Sequence, residues 1–382
     1  MESRENGAKL PTFPGGSCVL HEKCQNAAAH AQRARPHWGG VPVPFMPRLL
    51  HLDALRGLAI VSMVAANMTP YFLAEPHPPW LRLYGSFAAP LFIGITGYLS
   101  AMQADRGKSP SGRWLRGGLI LLIAAAVDVL LSQNWPFVSF DVLYVIGLAA
   151  IVVPLAYQSG HWGLLGTTVV CLAAGIVLQI VPGYDARVHA VYITSPVTEI
   201  EPRYVVEQFL ISGYFPIFPW LGVATFGGLV YQWRDGLLAW VNRNQRWSIP
   251  LGILLSLGLC GWLAWGPPRA SRSGYCELFY PADALYLATA TSVCLLLAYL
   301  FRATSGLPWQ QPLAALGQSS LFFYLLHLAL IRLCKSFATE FLTNYLGWQL
   351  LFLAIMVGAT IPIGQLRKLW PHRSFWLRML IG

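Results

Sequence analysis

From residue 49 onward, long apolar stretches alternate with short polar breaks in which Arg, Pro, Gly and Asp collect. Apolar runs near 54–75, 84–104, 114–132, 141–158, 162–182, 207–232, 247–266, 283–302, 311–331 and 345–366 each approach the roughly twenty residues that an α-helix needs to cross a bilayer. The pattern predicts an all-α, polytopic integral membrane helical bundle of about ten transmembrane helices. Residues 1–46 carry no such period and scatter Gly, Pro, Ala, His and Arg, which reads as a disordered N-terminal tail ahead of a membrane domain at 47–382. The largest breaks, about 183–206 and 267–282, are rich in Pro, Tyr and Arg and are candidates to cap an outward-facing cavity.

Composition agrees with a lipid solvent. Of 382 residues, 55% are apolar and 11% charged, whereas a soluble domain carries about a quarter charged residues. Lys and Arg then set the orientation, because positively charged loops stay cytoplasmic. With ten crossings from an inner start, 19 of the 26 basic residues fall on the cytoplasmic side and 7 on the other. Both termini are therefore expected in the cytoplasm and the protein in the cell membrane, the inner one in a Gram-negative cell. The net charge of +10 follows from this topology and from contact with anionic lipid, and calls for no nucleic-acid partner.

Polar groups inside the bilayer are costly and so point to sites. Asp53 and Arg56 stand at i and i+3 at the inner start of the first span, where they can pair or anchor the helix. Asn67 falls in its outer half and Asp128 in the third span, while Tyr324 and His327 share a face near the outer end of the ninth. The stretch NMTPYFLAEPHPPW places His77 among four prolines just beyond the first span, at the level expected for His327. Either imidazole alone is more often structural; together at one level they form a candidate site. Gly94 and Gly97 allow close helix packing. Cys171, Cys260 and Cys294 lie in spans as small apolar residues, and the spacing of Cys18, His21, Cys24 and His30 fits no zinc module, so no metal is expected.

In chain order, RLLHLDALRGLAIVSMVAANM, HPPW, SFAAPLFIGITGYLS, FPIFPWLGVATFGGLVY and LGQSSLFFYLLHLALI resemble motifs of the heparan-alpha-glucosaminide N-acetyltransferase family, within the wider transmembrane acyltransferase superfamily. The resemblance runs from about 48 to 335. It implies that 47–382 is a transmembrane acyltransferase domain. Such a domain moves an acetyl or other acyl group from cytoplasmic acyl-CoA to a sugar or amino-sugar acceptor across the membrane. It implies catalytic roles for the span-embedded Asn67 and for His77 ahead of Trp80, and by analogy a homodimer. The segment between Asn67 and His77 departs from the pattern, being Pro-rich where the lysosomal member is Gly-rich.

Acyl transfer from a thioester requires deprotonation of the acceptor, or a nucleophile that first takes the acyl group, and donors for the oxyanion. An imidazole with an ordinary pKa of about 6.5 serves either of the first two purposes, and Asn67 supplies an amide N–H for the third. Pro70 is expected to break the outer turn of the first helix, and Pro76, Pro78 and Pro79 to stiffen the return so that His77 folds back towards Asn67. Tyr324, His327 and Trp80 are the candidate acceptor-binding groups, although hydrogen bonding between helices accounts equally for the first two. Arg56 with Asp53, Lys108, Arg113 and Arg116 are the candidates for holding the donor's phosphates, and the positive-inside bias alone also places cations there. A transporter or flippase for a glycan or lipid would likewise have ten spans and buried polar groups. It predicts inverted internal symmetry, and the sequence has no convincing pair of matching halves. A non-catalytic assembly protein would bind no acyl-CoA.

Overall fold

The computed structural model describes residues 49–107, 109–181, 191–196, 198, 200–266, 272, 275–338, 341–370 and 374–382. The tail at 1–46, with Cys18, His21, Cys24 and His30, and Lys108 lie outside the described residues. The apolar runs form helices: α1 (Leu50–Phe72), α2 (Pro79–Ser86), α3 (Ala88–Asp105), α4 (Pro110–Val127), α5 (Val142–Gln158), α6 (His161–Ile180) and α7 (Pro202–Glu207). They continue as α8 (Ile217–Arg243), α9 (Gln245–Trp265), α10 (Ala284–Ala303), α11 (Gln310–Gln318), α12 (Ser320–Cys334), α13 (Leu342–Leu369) and α14 (Phe375–Ile381). Among the described residues, the β pairing is a single bridge between Asn134 and Tyr192.

Nine helical segments among the described residues are long and apolar enough to span, α2 with α3 forming one and α7 with α8 another. The tenth expected crossing is α5, which at 17 residues falls short of the other nine. Its start is fixed by Asp141, whose side chain accepts the Val142 N–H at 2.6 Å and so satisfies an orphan donor of the first turn. α10 starts in the same way, Asp283 accepting from Tyr286 N at 2.9 Å.

Helices come together where side chains vanish. A Cβ on Gly57 would lie 1.9 Å from the Leu313 carbonyl oxygen, and one on Gly317 would lie 1.8 Å from that of Asp53, so α1 and α11 touch backbone to backbone. The contact of α3 with α8 is similar: Gly97 faces the Ala224 carbonyl and Gly227 faces that of Gly94. Gly94 therefore contributes its carbonyl oxygen, its own missing Cβ meeting nothing.

The direction of α13 follows from two hydrogen bonds. Tyr345, near its start, donates to Ala65 O in the last third of α1 at 2.9 Å, while Arg367, near its end, donates to Gln318 Oε1 beside the start of α12 at 2.6 Å. α1 thus begins and α13 finishes at the same end of the bundle. On the outside, α9 leaves Trp247, Leu254 and Trp265 exposed and α13 leaves Leu350 and Ile361 exposed, a surface suited to lipid.

Candidate functional site

Pro70 lies inside α1 and does not end it; the helix runs on to Phe72. Pro70 lacks an N–H, so the Ala66 carbonyl four residues earlier loses its helical partner. The Cys276 thiol approaches that oxygen at 3.9 Å. One residue on, Asn67 Nδ2 donates to His327 Nε2 at 2.9 Å, and His327 Nδ1 lies 3.2 Å from the Phe323 carbonyl. A carbonyl only accepts, so Nδ1 carries the proton and Nε2 presents its lone pair to the amide. His327 thereby orients Asn67, and its own basic nitrogen is engaged.

The chain from Tyr275 to Ala282 is not helical, yet Cys276, Glu277, Leu278, Phe279, Tyr280 and Ala282 are all buried. Irregular backbone this deep requires partners. Ser86 Oγ accepts the Leu278 N–H at 2.7 Å, Arg82 Nε donates to the Cys276 carbonyl at 3.3 Å, and Gly85 leaves room for the Cys276 sulfur. This loop carries Glu277 into the bundle against the turn of α1 that bears Asn67. Glu277 is 5% exposed and its Oε2 has no hydrogen-bond partner among the described residues. Burial raises its pKa to about 7, the loop's own N–H groups, Arg272 and Arg82 offsetting part of that shift.

A third strand of the site comes from the turn between α4 and α5. α4 passes into a π-helical turn at Asp128–Ser132, and Gln133, Phe137 and Phe140 then adopt left-handed φ of 57°, 64° and 53°. Such angles are strained for bulky residues and persist only where surroundings impose them. Here Asp128 imposes them, accepting from Ser139 Oγ at 3.0 Å and Tyr144 OH at 2.6 Å, while Tyr144 also receives the Phe137 N–H at 3.0 Å. The turn delivers Asp141, which accepts a short hydrogen bond from Tyr324 OH. Burial pushes the Asp141 pKa up, opposed by the Tyr324 hydroxyl and the Val142 N–H.

Two cavities meet at these groups. One, about 1260 Å³ including its open mouth, is lined at one end by Arg56, Ser100, Gln103, Arg113 and Arg116. Arg113 is buried and its Nε and Nη1 have no partner among the described residues. The other cavity, about 1540 Å³ by the same measure, is lined by Asp128, Tyr71, Tyr192, Tyr214, Tyr275 and Tyr280, with Arg332 and Lys335. Asn67, Asp141, Phe215, Glu277 and Tyr324 line both. Along α1, α4 and α12 alike, the basic cavity takes the earlier residues and the acidic, tyrosine-rich cavity the later ones. The cavities therefore occupy opposite ends of the bundle and share one wall between them.

The structure distributes the expected site residues unevenly. Asn67 and Tyr324 stand at the junction, and His327 bonds Asn67. Arg56, Arg113 and Arg116 line the basic cavity, whereas Asp53 lies on α1 outside either lining. His77 lines neither cavity, nor does Trp80, which is half exposed at the start of α2. His77 is buried, both ring nitrogens lack partners among the described residues, and burial lowers its pKa, with Glu75 opposing and Arg82 reinforcing the shift. Glu277 and Asp141 escape notice in the sequence because Glu277 sits in a break between spans and Asp141 at the very start of one, where an acidic residue is ordinary.

Two opposed cavities sharing a polar wall suit a transfer between substrates that arrive from different sides. The sequence profile of heparan-alpha-glucosaminide N-acetyltransferase, catalytic, matches residues 48–265. The chain belongs to this family. Membership of the N-acetyltransferase family makes it a membrane-embedded transferase. The match covers Arg56, Asn67, His77, Arg113 and Asp141; Glu277, Tyr324 and His327 complete the junction from beyond it. None of the curated proteins compared with the chain matches it.

Proposed function

We propose that this family member transfers an acetyl group, or another acyl group, from cytoplasmic acyl-CoA to a sugar or amino-sugar acceptor on the opposite side of the membrane. The observation that carries this reading is the shared wall: five residues line both a basic cavity and an acidic, tyrosine-rich one.

The basic cavity is assigned to the donor. Arg113 is a buried guanidinium whose Nε and Nη1 have no partner among the described residues, and a buried charge left unpaired is costly unless a ligand completes it. Phosphate oxygens fit that fork, with Arg56 and Arg116 beside it. The positive-inside bias of the sequence assigns the majority of the basic residues to the same side as Arg56, Arg113 and Arg116, in keeping with a cytoplasmic mouth. From Arg56 to Asn67 the helix rises about 16 Å at 1.5 Å per residue, a distance that the thioester arm of the donor spans along the mostly apolar middle of the cavity.

The acidic cavity is assigned to the acceptor, since tyrosines offer faces and hydroxyls to a sugar ring and carboxylates attract an amine. At the junction, Asn67 keeps a second amide N–H after bonding His327, and this donor stabilises the oxyanion as the thioester carbon is attacked. The family resemblance gives His77 a catalytic role, and its two ring nitrogens have no partner among the described residues.

The test incubates membranes with labelled acetyl-CoA and glycan or amino-sugar acceptors. Wild-type protein is expected to label the acceptor and His77→Ala to lose most of that transfer. Equal transfer by the two proteins removes His77 from the mechanism, and absence of acyl-CoA binding or turnover in purified wild type overturns the function.

A further inference from the structure

Glu277 is the junction residue whose chemistry the family reading leaves unused. It sits on a loop held into the bundle by Arg82, Ser86 and the Ala66 carbonyl, beside the turn that bears Asn67. Its carboxyl group is more than nine-tenths buried, one oxygen has no partner among the described residues, and it borders both cavities. The neighbouring carboxylates are occupied: Asp141 holds the Tyr324 hydroxyl and the α5 cap, and Asp128 holds Ser139 and Tyr144. His327 has its free nitrogen engaged by Asn67, and His77 borders neither cavity.

We propose that Glu277 is the proton acceptor of the transfer step. The inference rests on the acyltransferase reading. The acceptor's amine or hydroxyl attacks the thioester carbon, the new C–N or C–O bond forms, and the C–S bond breaks with its electron pair leaving on the CoA sulfur. The proton released by the nucleophile goes to the free oxygen of Glu277 and then to the thiolate, so the carboxylate is regenerated and CoA leaves as the thiol. Asn67 holds the oxyanion from the same wall.

The surroundings make the group's titration readable. Arg82 and Arg272 face it as cations, and Asp141 shares the junction. Tyr275, Cys276 and Tyr280 on the loop, Tyr286 on α10, Tyr324 on α12 and Tyr345 on α13 are the other ionisable groups around it, and phenols and thiols ordinarily ionise well above neutrality. Burial sets Glu277 near 7, so it is a competent base above that pH and is protonated below it.

The experiment measures kcat against pH for purified wild type, Glu277→Gln, Glu277→Asp and His77→Ala, with acetyl-CoA and glucosamine, alongside acetyl-CoA binding and size-exclusion elution. Wild-type kcat is expected to fall as pH drops through about 7. Glu277→Gln should bind acetyl-CoA normally, lose about 10²-fold in kcat at pH 8 and lose that acid limb, while Glu277→Asp recovers part of the rate with the limb displaced. Should Glu277→Gln misfold, the Asp variant alone decides: a wild-type rate with an unmoved limb overturns the proposal. So does Glu277→Gln retaining the wild-type rate and limb, or His77→Ala abolishing the limb in its place. Wild type that never turns over acetyl-CoA overturns the acyltransferase reading itself, a result distinct from any of these.

Discussion

The two cavities differ in how they obtain their chemistry. The basic cavity takes its charges from Arg56, Arg113 and Arg116, which lie in regular helix close to the starts of α1 and α4. The acidic cavity depends on irregular backbone: a π-helical turn at Asp128, three left-handed residues leading to Asp141, and the buried loop that carries Glu277. On the proposed function, a flexible phosphate-bearing donor tolerates donors on long arginine side chains, whereas a sugar acceptor must be held in one pose at the reacting carbon. Positions forced by backbone supply that fixity.

Substitutions on the two sides should therefore separate into different kinetic parameters. The largest effect is expected at the shared wall: Asn67→Ala should lower kcat by about 10²–10³-fold, the cost of removing one oxyanion donor, with acetyl-CoA binding retained. Loss of donor binding with kcat intact would place Asn67 on the basic side alone. Next comes Arg113→Ala, which removes a buried charge-assisted contact worth about 1.5–3 kcal/mol and so should raise the KM for acetyl-CoA by roughly ten- to a hundredfold while leaving kcat at saturation near wild type. A rise confined to the acceptor KM would reverse the assignment of the two cavities. The smallest effect belongs to Lys335, whose ammonium lies 5.6 Å from the Tyr71 ring centroid near the far mouth. Lys335→Ala should change the acceptor KM by less than about fivefold, in line with an exposed cation–π contact of about 0.5–1 kcal/mol, and leave the donor KM unmoved.

Part of this was legible before any helix was placed. The apolar runs mark the crossings because length and hydropathy are local properties, and α5 could be foreseen although it lies below the usual span. Asn67 stood out because an amide in an apolar helix is costly wherever the helix goes. Pro70 was misleading on one point. A proline near a helix end reads as a break, but with Thr69 Oγ1 and Tyr345 OH donating to the Ala65 carbonyl and Cys276 beside the Ala66 carbonyl, the turn survives its missing hydrogen bond.

The partner of Asn67 was not legible. Ten residues of proline-rich chain make His77 the near candidate, yet the imidazole that meets the amide is His327, 260 residues away. Glu277 was hidden for the same reason: in a loop, a carboxylate costs nothing until tertiary contacts bury it. The sequence by itself determined that the chain is a membrane bundle, where its helices lie, and that cations collect at one end and an amide lies deep in the first crossing. Periodicity, charge and desolvation cost act residue by residue. Only the tertiary structure decided which imidazole orients Asn67, that two cavities share one wall, and that Glu277 faces both, because those depend on the gaps left when glycine-lined helices close on one another.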